Sequence, residues 1–265
     1  MKRSIPEIQT ALITGASSGL GASFARQLAR EGYRLILTSR RQESMQNLKM
    51  ELVANHGSEI AIIQADLSVD AERMRLCAEV DAMAWPVDVL INNAGFGTHG
   101  YFHAANERSQ SDMIQVNILA LTMLTRHFAG AMIERNRGAI LNVASVAAFQ
   151  PGPMMAVYFA TKAYVLSFSE ALSEELRGSG VVVTALCPGP TESEFMSVSG
   201  MEKARLIKGR KLPGADPVVE LGLRALRRGK RRVIHGSLNR IQSALSILMP
   251  RTLVLRVTHF LQKQA

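Results

Sequence analysis

The chain has 265 residues, 47% hydrophobic and 20% charged, a globular balance that excludes a disordered or fibrous protein. Two cysteines, Cys77 and Cys187, are too few for a disulfide scaffold and read as small buried apolar residues. The net charge of +9 belongs to the end of the chain: residues 1–200 hold 16 Lys and Arg against 19 Asp and Glu, and residues 201–265 hold 15 against 3.

From the start of the chain, Met1-Lys-Arg-Ser-Ile-Pro leads to Glu7 with no apolar leader segment, so a soluble, cytoplasmic, reduced protein is expected. Seven short apolar runs read as strands: Ala11–Thr14, Arg34–Thr38, Ile60–Ile63, Val87–Ile91, Ala139–Val143, Val181–Ala185 and Arg232–Ile234. They are almost uniformly apolar, as strands are when both sheet faces are covered. Helical patterns separate them at Leu20–Arg30, Glu43–Asn55, Ala71–Met83, Asp112–Arg135 and Val157–Arg177. Alternating strand and helix imply right-handed crossovers and a parallel sheet. The expectation is therefore α/β: one Rossmann domain over residues 1–236, with a doubly wound seven-stranded sheet and a lid at 190–213, then a helical extension at 237–265 broken at Pro250. The uncharged stretch Gly138–Thr161 is interrupted by Asn142, Gln150 and Pro151-Gly152-Pro153, so it reads as core rather than as a membrane span. His99 and His103 have no carboxylate nearby, and no metal site is expected.

The first strand runs into Thr14-Gly15-Ala16-Ser17-Ser18-Gly19-Leu20-Gly21 and then a helix. Glycines there let the backbone turn tightly and approach a pyrophosphate seated at the helix N-terminus. The spacing Gly-x-x-x-Gly-x-Gly resembles that of the short-chain dehydrogenase/reductase family. At the end of the second strand, Thr38-Ser39-Arg40-Arg41 has no acid to hold a ribose 2′-hydroxyl. A guanidinium binds a 2′-phosphate through charge-assisted bonds, so Arg40 with Ser39 points to NADP(H), and Arg41 either assists or begins the next helix. The resemblance implies that Asp66 meets the adenine amino group and that the Leu67 amide caps the ring. A helix N-cap is a competing role for Asp66 or Ser68.

Further matches follow in family order: Asn92-Asn93-Ala94-Gly95, Asn117, Ser145 and Tyr158-Phe-Ala-Thr-Lys162. Reducing a ketone requires a proton donor that can also take the proton back. Tyr158 and Lys162 stand i,i+4 on one helix face, and the ammonium together with a positive nicotinamide ring would lower the phenol from its usual ~10. The Ser145 hydroxyl suits a developing oxyanion. The resemblance makes Asn117 the anchor of a water linking Lys162 to solvent, and Asn93, Ala94 and Gly95 part of the cofactor site, with Asn92 structural. It also implies that Pro188-Gly189 covers the nicotinamide and that Thr191 or Ser193 binds its carboxamide. Phe96, Val146, Phe149, Met154, Met155 and Phe159, with the Met-rich lid, suggest an adaptable pocket for a hydrophobic carbonyl or alcohol, including an acyl chain on a carrier.

In the tail, Leu238, Ile241, Leu245 and Leu248 share one helix face, and Val254, Val257, Phe260 and Leu261 continue the pattern beyond Pro250, flanked by Arg240, Arg251, Arg256 and Lys263. This extension resembles that of a bacterial branch of the family labelled by a D-alanine-esterification relative. The stripe could cover its own domain, another subunit of a dimer or tetramer, or a membrane surface. No nucleic-acid motif accompanies the basic residues. The activity implied is an NADP(H)-dependent carbonyl–alcohol oxidoreductase. The alternative is a non-catalytic NADP sensor or scaffold on the same fold, which would have no use for the Tyr–Lys pair.

Overall fold

Consecutive side chains of a strand point to opposite sheet faces, so a run such as Ala11-Leu12-Ile13 must find cover on both. In the computed structural model, which describes residues 9–192, 194–195, 199–201, 204–205 and 212–263, it does. Strands β1 (Thr10–Thr14), β2 (Arg34–Ser39), β3 (Ile60–Gln64), β4 (Val87–Asn92), β5 (Gly138–Val143), β6 (Val181–Cys187) and β7 (Arg232–Ile234) form one parallel sheet ordered β3-β2-β1-β4-β5-β6-β7. Ala11, Ile13, Leu35 and Leu37 bury one face beneath α1 (Gly19–Arg30), α2 (Gln42–His56) and α7 (Ala215–Arg227). Leu12, Ile36, Leu90 and Ile140 bury the other beneath α3 (Asp70–Ala82) and α5 (Leu121–Glu134), with α6 (Ala156–Glu175) at its margin.

Chain order reverses between β1 and β4, so their carboxyl ends splay and leave a crevice there. Every expected strand is present within a residue or two. The long helix starts earlier than expected, as α4 (Glu107–Ile114), because the Asn106 side chain accepts a hydrogen bond from Ser109 N and caps it. A π-helical turn at Gln115–Ala120 then joins α4 to α5. By length and composition Glu107–Glu134 could cross a membrane, but it packs on β4 and β5 as a core helix. Helix α7 was not anticipated.

The tail forms α8 (Ser237–Leu248) and α9 (Arg251–Gln262), parted at Pro250. In α8 the apolar stripe is not the side that its own domain covers. Ser243 and Ser246 are the buried residues, and the Ser246 hydroxyl contacts the carbonyls of Phe149 and Ser243 at 3.3 and 2.9 Å. Ile241 is 57% and Leu248 81% exposed. In α9, Val254, Thr258 and Gln262 face inward while Val257 and Phe260 face outward. His99 Nε2 lies 2.7 Å from the Gln262 carbonyl and ties the end of α9 to the loop after β4. Much of the anticipated lid, including Ser193, Met196, Lys203 and residues 206–211, lies outside the described residues.

Candidate active site

The loop after β1 is shaped by its glycines. Gly15 and Gly19 have φ of +65° and +54°, the left-handed region that favours glycine. A Cβ on Gly21 would lie 2.1 Å from the Gly15 carbonyl oxygen, so Gly21 acts by letting α1 close on the loop. Asn93 Nδ2 holds that loop from across the crevice, donating to the carbonyls of Thr14 and Gly15 at 2.9 and 3.2 Å. Thr14 Oγ1 accepts from the amides of Asn93 and Ala94. Ser18, the residue preceding α1, makes no side-chain cap. Gly19 and Leu20 at the start of α1 line the cleft with their amides uncapped by Ser18, a donor set that fits a pyrophosphate.

At the end of β2 the two arginines diverge. Arg40 stands exposed on the cleft wall, near enough to Asp66 to help lower its pKa. Burial alone would raise Asp66, but hydrogen bonds from the Ser68 hydroxyl and amide, at 2.7 and 2.9 Å, outweigh it. Those bonds make Asp66 a turn residue; the residue that precedes α3 is Val69. Arg41 reaches into the phosphate loop, its guanidinium 3.1 Å from Ser17 Oγ, 2.7 Å from Ser18 Oγ and 2.6 Å from Glu194 Oε2. Sequence reasoning put Arg40 first and did not single out Glu194.

Deeper in, α6 presents Tyr158 and Lys162, 8% and 6% exposed. Lys162 Nζ donates to the Val143 carbonyl at 2.8 Å and lies 5.9 Å from the centre of the Tyr158 ring. Ser145 Oγ accepts from Ala147 N at 3.1 Å and lies close enough to the Tyr158 hydroxyl to draw its pKa down. The sequence suggested a lowered phenol. In the chain by itself, burial pushes Tyr158 up to about 12 against the pull of Ser145, and pushes Lys162 down to about 8. Desolvation prevails because the ammonium is directed at a backbone carbonyl and its charge is itself penalised.

Asn117 sits in the π-helical turn, 1% exposed. Its Oδ1 accepts from Phe96 N at 3.1 Å, and its Nδ2 donates to Phe96 O at 2.9 Å and Thr161 Oγ1 at 3.0 Å. Thr161 in turn donates to the Tyr158 carbonyl at 2.7 Å. Asn117 thus stands behind the cleft and positions both the loop after β4 and the helix that carries Tyr158. A Cβ on Gly95 would approach Asn117 Oδ1 and Lys162 Nζ at 3.0 and 3.3 Å. Asn92 is buried deeper, donating to Thr125 Oγ1 and Asn142 Oδ1.

These groups converge on one cleft of about 760 Å³. The loop residues Gly15, Ser17, Ser18, Gly19 and Leu20 line one end with Ser39, Arg40, Asp66 and Leu67. Asn93, Ala94 and Gly95 form its floor, and Ser145, Tyr158, Lys162, Pro188, Gly189 and Thr191 its centre. Gly21 and Asn117 do not reach its surface. The apolar end holds Phe96, Val146, Met155 and Phe159 with Phe195 and Met201. Phe149 and Met154, expected there, are elsewhere. Phe149 packs against Val165 and Leu166, and Met154 takes a left-handed φ of +67° that leaves its carbonyl bound by Gly100 N. Periodicity carried no sign that the tail completes this wall, with Leu245, Met249, Val254, Val257 and Leu261 lining it. Asn239 of α8 also abuts Gly189, where a Cβ would come within 2.2 Å of its Nδ2.

Residues 9–203 match the family model described as short chain dehydrogenase. The chain is 38% identical over 189 residues to the NADP-dependent 3-hydroxy acid dehydrogenase YdfG of Salmonella typhi, covering 71% of this chain and 75% of that protein. It is 35% identical over 191 residues to a short chain dehydrogenase of Pseudocercospora fijiensis, covering 71% of this chain and 61% of that protein's length. The structure resembles a solved short-chain dehydrogenase from Sphingobium yanoikuyae in complex with NADPH, with a TM-score of 0.81 and 32% identity over 91% of this chain and 95% of that one. A Burkholderia phymatum member solved with NAD gives the same TM-score at 27% identity, covering 90% and 92% of the two chains.

Proposed function

The chain belongs to the short-chain dehydrogenase family, and from that premise we propose that it is an NADP(H)-dependent oxidoreductase interconverting a carbonyl and an alcohol on a hydrophobic substrate. The observation that carries this reading is the Tyr158 phenol, close enough to Ser145 for that hydroxyl to draw its pKa down and with Lys162 Nζ 5.9 Å from its ring centre, in one cleft with a glycine loop and an apolar pocket. The nicotinamide supplies or accepts the hydride when bound. The chain does the rest. Tyr158 delivers a proton to the substrate oxygen in reduction and removes it in oxidation. Ser145 donates a hydrogen bond to that oxygen as charge develops on it. Lys162 keeps a positive charge beside the phenol, which favours phenolate and makes the proton easier to give up. Asn117 holds Phe96 and Thr161, and through them the reacting geometry. The preference for the phosphorylated cofactor rests on two arginines and no acid at the end of β2.

The apolar wall supports a hydrophobic substrate over a sugar, since Phe96, Met155, Phe159, Phe195 and Met201 offer hydrogen-bond partners only through their backbone. NADPH oxidation measured against a panel of ketones, aldehydes and acyl thioesters tests the reading. Turnover with apolar carbonyls that disappears in Tyr158→Phe supports it. Cofactor binding with no turnover on any class would instead favour a sensor.

A further inference from the structure

We propose that the outward-facing side chains of α8 and α9 dock on an anionic lipid surface, with the mouth of the cleft turned toward it. The two helices turn mainly polar side chains inward. They bury Ser243, Ser246, Thr258 and Gln262 together with Val254, and expose Leu238, Ile241, Ile247, Leu248, Leu253 and Phe260. Apolar side chains this concentrated need a cover that water does not provide.

Charge selects the cover. Arg240, Arg251 and Arg256 are exposed on the same two helices and Lys263 directly after them, and no Asp or Glu follows Glu220 in the chain. In a two-fold self-pairing the same patch meets itself, which would set arginine against arginine with no carboxylate supplied by either helix. An anionic bilayer meets both demands, taking the apolar side chains among its acyl chains and the cations among its phosphates. The face also continues to the cleft. Leu245 and Val257 are exposed and line it, and Tyr101, itself exposed, lies edge-on to His259 of α9 with ring centres 6.4 Å apart. Docking does not depend on the reaction assigned above.

The test is co-sedimentation of the full chain with vesicles of phosphatidylglycerol and phosphatidylcholine, or of phosphatidylcholine alone. The intact protein should partition at least about tenfold more strongly onto the anionic vesicles at low salt, and high salt should weaken that binding. Ile241→Asp with Leu248→Asp should abolish it. Thermal unfolding and NADPH titration, which read the core and the cofactor loop, should stay near the intact protein's values. A second variant, Arg240→Gln with Arg251→Gln and Arg256→Gln, keeps every apolar side chain and should lose the preference for anionic vesicles. No sedimentation at low salt overturns the proposal. So does equal binding by the Asp variant. Light scattering in which the Asp variant splits an oligomer, while no vesicle is bound, assigns the face to self-association and also overturns it.

Discussion

Arg41 and Glu194 meet across the cofactor end of the cleft at 2.6 Å, with the same guanidinium nitrogen 2.7 Å from Ser18 Oγ. The carboxylate, held below its usual pKa chiefly by its hydrogen bond with Arg41, occupies the cation that a 2′-phosphate would seek. A phosphate arriving there must displace it. Glu194→Gln should therefore tighten NADPH binding several-fold and leave NADH nearly unchanged, as measured by fluorescence titration. An unaltered ratio of the two affinities would remove Arg41 from phosphate recognition.

The neighbouring arginine gives a complementary expectation. Arg40→Asp places an acid where the cofactor phosphate would lie, so NADPH affinity should fall by about tenfold or more while NADH is spared. If both cofactors weaken equally, the change has damaged the loop rather than the recognition of phosphate.

Tyr158→Phe removes one hydroxyl and keeps the ring that packs on Phe159 and Phe195. Turnover should drop by about 10²–10⁴-fold, the range for losing a positioned proton donor, with cofactor binding retained. Activity close to that of the intact protein would mean that the proton travels by another group.

Lys162 gives a stability signature. Burial holds its ammonium at about 8, below the ordinary 10.5, so between those values the unfolded chain binds a proton that the folded chain does not. Its contribution to stability therefore rises with pH across that window and is lost as pH falls through 8. Tyr158, held at about 12 against an ordinary 10.0, acts oppositely above pH 10, where the unfolded phenol ionises first. Relative to Lys162→Met, the intact protein should gain on the order of 2 kcal/mol between about pH 7.5 and pH 10. Urea unfolding of both proteins at the two pH values measures this, and parallel stabilities would show that the amine titrates normally.

The sheet was legible in the sequence because covered parallel strands are apolar at almost every position, a signal that needs no tertiary information. The glycine loop, Ser145 and the Tyr158–Lys162 pair were picked out by their resemblance to the family pattern, and the fold brings them to one cleft. Arg41 was not. The turn between β2 and α2 decides which of two adjacent arginines faces the loop, and composition does not encode that turn. Helix α7 hid in a basic stretch, although Gly214 before it and Asp216 and Pro217 in its first turn are start signals. Periodicity grouped Leu238, Ile241, Leu245 and Leu248 correctly on one side of α8. It could not say which side the rest of the molecule would cover, and the serines won that contact. The rise of Tyr158 also escaped the sequence, because desolvation depends on what packs above the ring.

The pocket wall supplied by α8 and α9 separates two kinds of inheritance within one chain. The residues that the proposed function assigns to proton transfer and cofactor binding lie between Gly15 and Glu194. Much of the shape that meets a substrate is written after Gly236, in helices that share no strand with the sheet. Drift in the last thirty or so residues can therefore retune which molecules are accepted while the reaction stays the same. Grafting such a pair of helices between relatives would move selectivity as a cassette.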